Sequence, residues 1–379
     1  SLRAIRTLLE GDIRFILSGL DVTIKGTPRK KIFNWVMNGL SAHLRLSRAF
    51  GYPSQIQIEP TSRCNLSCIG CPCADTIERK DINLSFDIYK NLIDELSEKL
   101  IAVTLFDWGE PFLNTRIYDM IEYASRNEII TATNSNAHVF SNPKNAERLV
   151  LSGLDLITFS IDGTTQETYQ KFRINGDLKT ALKGIRNVVH FKELHNLDTP
   201  LINFGFIIMR HNINEIPHLN KFVEDLGCDC LSLKTLNTYS GGVENRNLEE
   251  LVPLENSYSR FLTTGTERPI RRKRPSCLAP WSNPTVHCNG NLCICFNDYD
   301  DNTAVGNLID IDFKTLWNSK LFKNYRKTFS RNYMELERCR NCTQSFEGGD
   351  CAQEVQRDFY AFSKMESRRI KINIKGHGK

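Results

Sequence analysis

A chain of 379 residues is long enough for two or three domains, and its 40% apolar and 25% charged residues are ordinary for a globular protein. The net charge of +5 is small for this length and by itself gives no reason to expect nucleic acid as a partner. No uninterrupted apolar run is long enough to cross a bilayer, so we expect no transmembrane segment.

The thirteen cysteines are clustered rather than spread evenly. Four lie at 64–73, two at 228–230 and seven at 277–351. The first residues lack the continuous apolar core of a signal peptide. Clustered cysteines in a long chain without such a signal favour metal or redox chemistry over disulfides, so we expect a cytoplasmic location.

Residues 1–52 are basic, and their apolar residues recur close to a helical period. The stretches 2–20 and 32–50 therefore predict two helices packed on the main domain. The alternative is a docking element for substrate or membrane, because several arginines and lysines accompany the apolar face.

Residues 53–237 alternate short apolar runs with amphipathic stretches, which predicts six strand–helix units. The predicted strands are 55–60, 101–108, 129–133, 156–162, 202–209 and 230–236. Such units form a parallel sheet with right-handed crossovers, and their chemistry lies at the carboxyl ends of the strands. The fold class is therefore α/β.

Three cysteines follow the first predicted strand in a Cys-x3-Cys-x2-Cys run, namely Cys64, Cys68 and Cys71. Three thiolates leave one iron of a four-iron cluster open for a ligand that is not protein. Tetrahedral structural zinc prefers four protein ligands, commonly in Cys-x2-Cys pairs, and fits this spacing less well. Iron–sulfur, zinc and free thiols stay open on spacing alone.

The stretch CNLSCIGC after a strand resembles the signature of the radical S-adenosylmethionine (SAM) enzymes. The resemblance implies a partial (β/α)6 TIM-like barrel, a 4Fe–4S cluster on these cysteines, and SAM bound to the open iron. It also implies cleavage of SAM to a radical that abstracts a substrate hydrogen. One position departs from the pattern, because Gly70 replaces a bulky residue that packs near the adenine, and Ile69 is the expected substitute.

Polar residues follow the later predicted strands in the order that the same resemblance requires. WGEP resembles the Gly-Gly-Glu motif that contacts the SAM amino group, and Tyr-x3-Arg resembles the arginine that pairs with the SAM carboxylate. The implied cofactor-binding residues are Gly109, Glu110, Asn134, Ser160, Asp162 and Arg173.

The second large cysteine set reads as a hairpin with an Asn289-Gly290 type I′ turn, followed by a closing Cys-x2-Cys knuckle. Four of its thiols are candidate metal ligands, namely Cys277, Cys295, Cys339 and Cys342. Four thiolates suit either structural zinc or a fully ligated 4Fe–4S cluster, and spacing alone slightly favours zinc.

The cysteine spacing and the VGN and LWN stretches resemble the SPASM/Twitch extension of radical SAM enzymes, which implies an auxiliary 4Fe–4S cluster. We therefore place a small SPASM/Twitch domain, a hairpin plus a helix, at 275–352. Cys288, Cys293 and Cys351 are left over, and a further cluster that uses them stays open.

The remaining segments carry weaker signals. Residues 238–274 are rich in Gly, Asn and Glu and predict a linker or lid that ends in the basic run RRKR. Residues 353–379 predict a helix and then a basic tail without a function.

The resemblance implies a radical SAM oxidoreductase with a reducing partner such as flavodoxin or ferredoxin. The auxiliary cluster would accept an electron, which suits dehydrogenation of a sugar- or cyclitol-like small molecule. Cross-linking or oxidation of a peptide and redox-neutral epimerisation are alternatives, as is a metal-binding scaffold without activity. We expect the residues before 53 to be too few for the leader-binding domain of peptide-modifying relatives, which favours the small molecule.

Overall fold

The protein is described here from a computed structural model. The described residues are 11–79, 81–240, 243–244, 246–254, 258, 269–275, 277–347, 358–361 and 370–373. None of the helices described in these ranges is long and apolar enough to cross a membrane.

The first predicted helix is wrong, because its described part forms two antiparallel strands, β1 (Ile13–Leu17) and β2 (Leu20–Lys25). Ser18 and Gly19 join them as a two-residue turn, with φ values of 50° and 80°. Positive φ at both turn positions matches the right-handed twist of a hairpin. Apolar and polar residues alternate over Leu20–Lys25, which favours a strand. This alternation outweighs the helical spacing of the leucines.

The second predicted helix is present as α1 (Arg29–His43), although it ends earlier than the apolar pattern suggested. Its Lys31 ammonium donates to the carbonyl of Glu128 at 2.7 Å, and its Asn38 amide donates to the carbonyl of Trp281 at 2.6 Å. The helix therefore packs on both the sheet region and the C-terminal region. Its proposed role in docking stays a prediction.

Six strands form the parallel core of the main sheet, in sequence order, as predicted. They are β3 (Gln55–Ile58), β4 (Ala102–Leu105), β5 (Ile130–Ser135), β6 (Leu156–Ser160), β7 (Leu201–Ile208) and β8 (Cys230–Thr235). Every pairing between successive strands is parallel. In the described residues β3 and β8 do not pair with each other, so the sheet stays open, as expected of a partial barrel.

Helices lie between the strands at the predicted places. They are α2 (Pro72–Asp75), α3 (Phe86–Leu96), α4 (Ile117–Arg126), α5 (Pro143–Leu151), α6 (Gln166–Gln170), α7 (Leu178–Leu194) and α8 (Ile216–Asp225). The predicted cap of α3 is present, because the Ser85 hydroxyl accepts the backbone N–H of Asp87 at 3.2 Å. The apolar face of each longer helix is buried against the sheet.

The C-terminal region extends this sheet instead of forming a separate one. After a short hairpin, β9 (Tyr239–Ser240) and β10 (Val243–Glu244), come α9 (Ala279–Ser282), β11 (Thr285–Val286) and β12 (Leu292–Cys293). Strand β11 pairs with β3 in parallel and with β12 in antiparallel orientation. The predicted hairpin is present, but its attachment to the edge of the barrel sheet was not predicted.

The turn of this hairpin differs from the predicted type I′ turn, which requires positive φ at two central residues. Within the described residues of this turn only Gly290 has positive φ, at 86°. The N–H of Gly290 donates to the carbonyl of His287 at 2.8 Å, and the N–H of His287 donates to the carbonyl of Asn291 at 3.0 Å. This pattern is that of a three-residue loop with a glycine bulge, so Cys288 and Asn289 occupy the central positions.

Three α-helices follow in the described part of the C-terminal region, and two described strands lie near the end of the chain. The helices are α10 (Phe313–Trp317), α11 (Lys320–Asn332) and α12 (Glu337–Arg340). The predicted tail helix is wrong where the structure describes the tail, because β13 (Asp358–Ala361) pairs with β8 and β14 (Ile370–Asn373) pairs with β2. Free strand edges at β8 and β2 satisfy the backbone groups of these segments.

Candidate active site

A cavity of about 350 Å³ lies at the carboxyl ends of β3 to β8. All nine residues predicted for the first cluster and for SAM line it. They are Cys64, Cys68, Cys71, Gly109, Glu110, Asn134, Ser160, Asp162 and Arg173. They come from successive loops and meet because parallel strands bring their carboxyl ends to one edge of the sheet.

The cysteine loop explains why Gly70 replaces a bulky residue. Gly70 has a φ of 72°, and a β-carbon placed there would lie 2.8 Å from the side chain of Leu248. The N–H of Cys71 donates to the carbonyl of Cys68 at 3.1 Å, which closes the loop around the glycine. Leu248 therefore occupies the space that a bulky side chain would need.

Gly109 holds the second loop against the cysteine loop. A β-carbon on Gly109 would lie 2.0 Å from the carbonyl oxygen of Thr61 and 2.8 Å from that of Arg63. The next residue, Glu110, donates its N–H to the Arg63 carbonyl at 2.7 Å. The close approach requires glycine, and it fixes the position of Glu110 relative to the cysteines.

Glu110 is buried in the wall of the cavity. Its carboxylate accepts the hydroxyl of Ser135 and the N–H of Asn136, both at 2.8 Å. Burial raises the pKa of Glu110 to about 7, because these two donors offset only part of the lost hydration. A buried carboxylate of this kind fits the amino group of SAM, whose positive charge would favour the ionised form.

Asn134 and Ser160 lie at the ends of two neighbouring strands. The Oδ1 atom of Asn134 is buried and has no hydrogen-bond partner in the part of the chain that the structure describes. Burying an unpaired amide oxygen costs free energy, so an acceptor in this position fits a ligand that donates a hydrogen bond. Ser160 lines the same cavity and is half-buried.

Arg173 is held between an acid and a cluster cysteine. Its Nε atom donates to Asp162 Oδ2 at 2.6 Å, and its Nη1 atom lies 3.5 Å from the sulfur of Cys68. The other oxygen of Asp162 accepts the N–H of Ile207 at 2.7 Å. Asp162 therefore positions Arg173 while it also lines the cavity, and its contact with a cofactor stays a prediction.

The apolar part of the cavity wall is composite. Ile69 was expected to replace the missing bulky side chain, and it packs in one cluster with Phe172, Leu236 and Leu248. All four line the cavity. Leu248 comes from a short 3-10 helix, Arg246–Leu251, within the predicted lid segment, so this part of the segment covers the site.

The four cysteines predicted for the second cluster also come together. Cys277, Cys295, Cys339 and Cys342 line one small pocket with mostly apolar neighbours. They come from the loop before α9, the strand end after β12, and the knuckle around α12. Distant pairs therefore converge on one site, as the spacing predicted.

Hydrogen-bonding groups lie close to three of these sulfurs. The N–H of Ala279 lies 3.4 Å from the Cys277 sulfur, and the side-chain amide of Asn297 lies 3.4 Å from the Cys342 sulfur. The hydroxyl of Tyr325 lies 3.0 Å from the Cys339 sulfur. Four sulfurs in an apolar pocket, three of them with a polar group close by, fit a fully ligated iron–sulfur cluster, whose potential such groups adjust.

Among the other cysteines, Cys73 lies next to Cys64, near the first ligand set. Cys288 and Cys293 are buried and do not line the second pocket. Cys228 and Cys230 are buried in the core and do not line the cavity. Cys351 lies outside the described residues.

A buried polar network beside the cavity was missed from the sequence. It contains two acids and an arginine from the barrel region and a histidine and an acid from the C-terminal region, namely Glu59, Arg79, Asp107, His287 and Asp301. Its members are far apart in the chain and meet only because β11 pairs with β3. No local sequence signal could have joined them.

Two family profiles match the chain. That of the radical SAM superfamily matches residues 58–211, and that of SPASM, an iron–sulfur cluster-binding domain, matches residues 277–343. Both profiles agree with the fold and with the two places where cysteines converge. Domains of these families hold 4Fe–4S clusters, and radical SAM domains bind SAM.

Similar proteins match across both regions. The PqqA peptide cyclase of Gluconobacter oxydans is 24% identical over 306 residues, which are 76% of this chain and 82% of the cyclase. The mycofactocin maturase MftC of Mycobacterium tuberculosis is 22% identical over 302 residues, 75% of either chain. SuiB of Streptococcus suis, solved with the precursor peptide SuiA, has the same fold. It superposes with a TM-score of 0.56 at 14% identity, covering 82% of this chain and 75% of SuiB.

Proposed function

Because this chain belongs to the radical SAM superfamily and carries a SPASM domain, we propose that it is an enzyme that modifies a peptide with the help of SAM. The observation that carries the proposal is the convergence of the cysteine triplet, Glu110 and Arg173 on one cavity. When bound, the reduced cluster and SAM supply a 5′-deoxyadenosyl radical, which abstracts a hydrogen atom from the substrate.

The peptide substrate is supported by the relatives whose similarity spans both domains. The cyclase is named for its peptide, and MftC is named as a maturase. These matches favour the peptide alternative over the sugar or cyclitol dehydrogenation that the sequence analysis placed first. The short segment before residue 53 was a weak basis for that preference.

The first cluster and SAM would be held by residues with distinct tasks. Cys64, Cys68 and Cys71 would hold the cluster. The Glu110 carboxylate would accept the SAM amino group, and Arg173, positioned by Asp162, would bind the SAM carboxylate. Asn134, Ser160 and the backbone at Gly109 would complete the pocket around the rest of SAM.

The auxiliary cluster would be held by Cys277, Cys295, Cys339 and Cys342. Four protein thiolates leave no iron open to substrate, so electron transfer is the role that this ligand set allows. Reduction of the first cluster would need a donor such as flavodoxin or ferredoxin.

The experiment uses anaerobically purified protein, SAM, dithionite and a library of synthetic peptides. We expect 5′-deoxyadenosine and a mass change in one peptide with the wild type, and neither with Cys64→Ala/Cys68→Ala/Cys71→Ala. Cys228→Ala/Cys230→Ala, which removes buried cysteines away from the cavity, serves as the control and should resemble the wild type. A wild type that forms 5′-deoxyadenosine but changes only a sugar, and no peptide, would refute the peptide assignment.

We expect Glu110→Gln to weaken SAM binding by about tenfold or more, because a hydrogen bond to a charged group contributes roughly 1.5–3 kcal/mol. The change is nearly isosteric, so the cavity keeps its shape. Equilibrium titration with SAM measures the effect. The control is Glu98→Gln, which changes an exposed carboxylate paired with Lys30 and should leave the dissociation constant unchanged. Equal affinity in the Glu110 variant would show that this carboxylate does not bind SAM.

A further inference from the structure

Strand β11 brings a residue of the SPASM domain to the active-site edge of the barrel sheet. Val286 pairs with Ile58 of β3, and Ile58 pairs with Leu105 of β4. The three strands are parallel, so the residues that follow them share one edge. His287, which follows β11, is fully buried there, close to Asp107, which follows β4.

His287 and Asp107 face each other without completing a normal hydrogen bond. The Nε2 atom of His287 lies 3.5 Å from Oδ2 of Asp107. Both atoms are buried, and neither has a hydrogen-bond partner within the described ranges of the chain. Asp107 lines the cavity. Holding two buried polar atoms opposite each other without a normal hydrogen bond is costly, which indicates a task beyond folding.

The other side of the His287 ring is fixed. Its Nδ1 atom hydrogen bonds to Asp301, whose second oxygen accepts the side-chain amides of Asn289 and Asn291 at 2.7 and 3.1 Å. Asp301 therefore keeps a proton on Nδ1 and directs Nε2 toward Asp107. Asp301 is thus the third group that orients the His287–Asp107 pair, an arrangement also found in activated catalytic pairs.

Of the two buried carboxylates near His287, Asp107 rather than Glu59 is its partner. Glu59 is buried, but Arg79 binds it at 2.8 Å and compensates its charge. The sulfur of Cys293 lies 3.6 Å from Nδ1 of His287. Carboxylates on both sides raise the pKa of His287 well above its ordinary value, whereas burial raises the pKa of Asp107 to about 6.

A metal ion on His287, Cys293 and Asp301 is the rival explanation, because their ligand atoms lie within 4.8 Å of one another. Three features oppose it. Arg79 lies 3.8 Å from the Oδ1 atom of Asp301, the two asparagine amides occupy Oδ2, and Nδ1 is already bonded to Oδ1. These contacts satisfy Asp301 as a hydrogen-bond acceptor and leave it poorly placed for a cation.

We propose that Asp107 is a general base for the substrate and that His287 is its positioning residue. An O–H, N–H or acidic C–H bond of the bound peptide breaks, its electron pair stays on the peptide, and the proton goes to the carboxylate of Asp107. His287, whose Nε2 atom faces this carboxylate at 3.5 Å, holds it in place as its ion-pair partner. This inference rests on the proposed function, because it places the peptide in the same cavity.

The test uses the full-length, cluster-loaded protein with SAM and the peptide that the wild type modifies. We expect Asp107→Asn to form 5′-deoxyadenosine within about twofold of the wild type, because the residues proposed to bind SAM are unchanged. We expect formation of the modified peptide to fall about 100-fold or more, the usual range for loss of a general base. Asp107→Glu, which restores a carboxylate, should recover part of the loss.

Two further readouts separate a base from a structural residue. Nuclear magnetic resonance of ¹⁵N-labelled histidine, with His287→Gln as the assignment control, should show a lower pKa for His287 in Asp107→Asn, because a neighbouring negative charge is lost. The rate of peptide modification in the wild type should decline as pH falls through about 6, since a base acts only when ionised. Asp107→Asn should lack that decline.

The matched control is Asp155→Asn, a buried carboxylate at the opposite edge of the sheet that accepts the N–H of Thr131. It should modify the peptide like the wild type. Unchanged peptide modification in Asp107→Asn, or an unchanged His287 pKa, would overturn the proposal. A wild type without 5′-deoxyadenosine would instead refute the proposed function, so the two failures are distinguishable.

Discussion

Gly109→Ala is expected to abolish formation of 5′-deoxyadenosine while the protein still folds. The added methyl group would lie 2.0 Å from the backbone oxygen of Thr61, and a backbone atom cannot move aside as a flexible side chain can. The clash separates the loop of Glu110 from the loop of the cysteines. We expect a loss of at least about 100-fold in activity and of about 1–3 kcal/mol in stability, the typical cost of overpacking.

The control for this variant is Gly39→Ala. Gly39 lies inside α1, and a β-carbon there would have no atom within 4 Å apart from its own helix and chain neighbours. Alanine should therefore stabilise the helix slightly, by roughly 0.5–1 kcal/mol. Iron content, SAM affinity and thermal unfolding are measured for both variants. Full activity in Gly109→Ala would mean that the two loops do not need this close contact.

Cys339→Ala/Cys342→Ala is expected to abolish the modified peptide while formation of 5′-deoxyadenosine continues. Removing two of four ligands leaves the second pocket unable to hold a cluster, so iron should fall from about eight to about four atoms per chain. The first site lies in a different cavity and keeps all its ligands. Iron analysis, 5′-deoxyadenosine and peptide mass are measured on the same preparation.

The control for the double variant replaces a single buried cysteine of the same region. Cys288→Ala removes a thiol that does not line the second pocket, so iron and product should match the wild type. If the double variant still forms the modified peptide, the second cluster takes no part in the reaction. If it keeps all its iron, the four cysteines are not the ligands.

The barrel strands were predictable because each is a short apolar run followed by an amphipathic stretch, as at 102–105 and 130–135. The strands near the two ends of the described chain were not predictable in this way. In Ile13–Leu17 the spacing of apolar residues suits a helix as well as a strand, and the Ser18-Gly19 turn decides between them. The tail strand Ile370–Asn373 depends on the free edge of a distant strand, which no local pattern shows.

The candidate site also contains residues that the sequence predicts and residues that it does not. Residues such as Glu110 and Arg173 could be placed because parallel strands deliver their carboxyl ends to one edge. The side chains that hold these residues in place could not be predicted. Asp162, which is predicted to contact the cofactor, binds Arg173 in the structure, and this pairing depends on side-chain geometry that the sequence does not show. Likewise His287 reaches the cavity only through the pairing of β11 with β3.

That pairing has a consequence during synthesis on the ribosome. Glu59, at the end of β3, and Cys288, just after β11, are joined by a hydrogen bond across 229 residues. At about 5–20 residues per second, roughly 10 to 45 seconds pass before the covering strand exists. Until then β3 presents an unpaired edge, the kind of surface on which nascent chains associate wrongly. The SPASM domain thus covers the β3 edge of the barrel sheet, and this edge stays open until that domain has been synthesised.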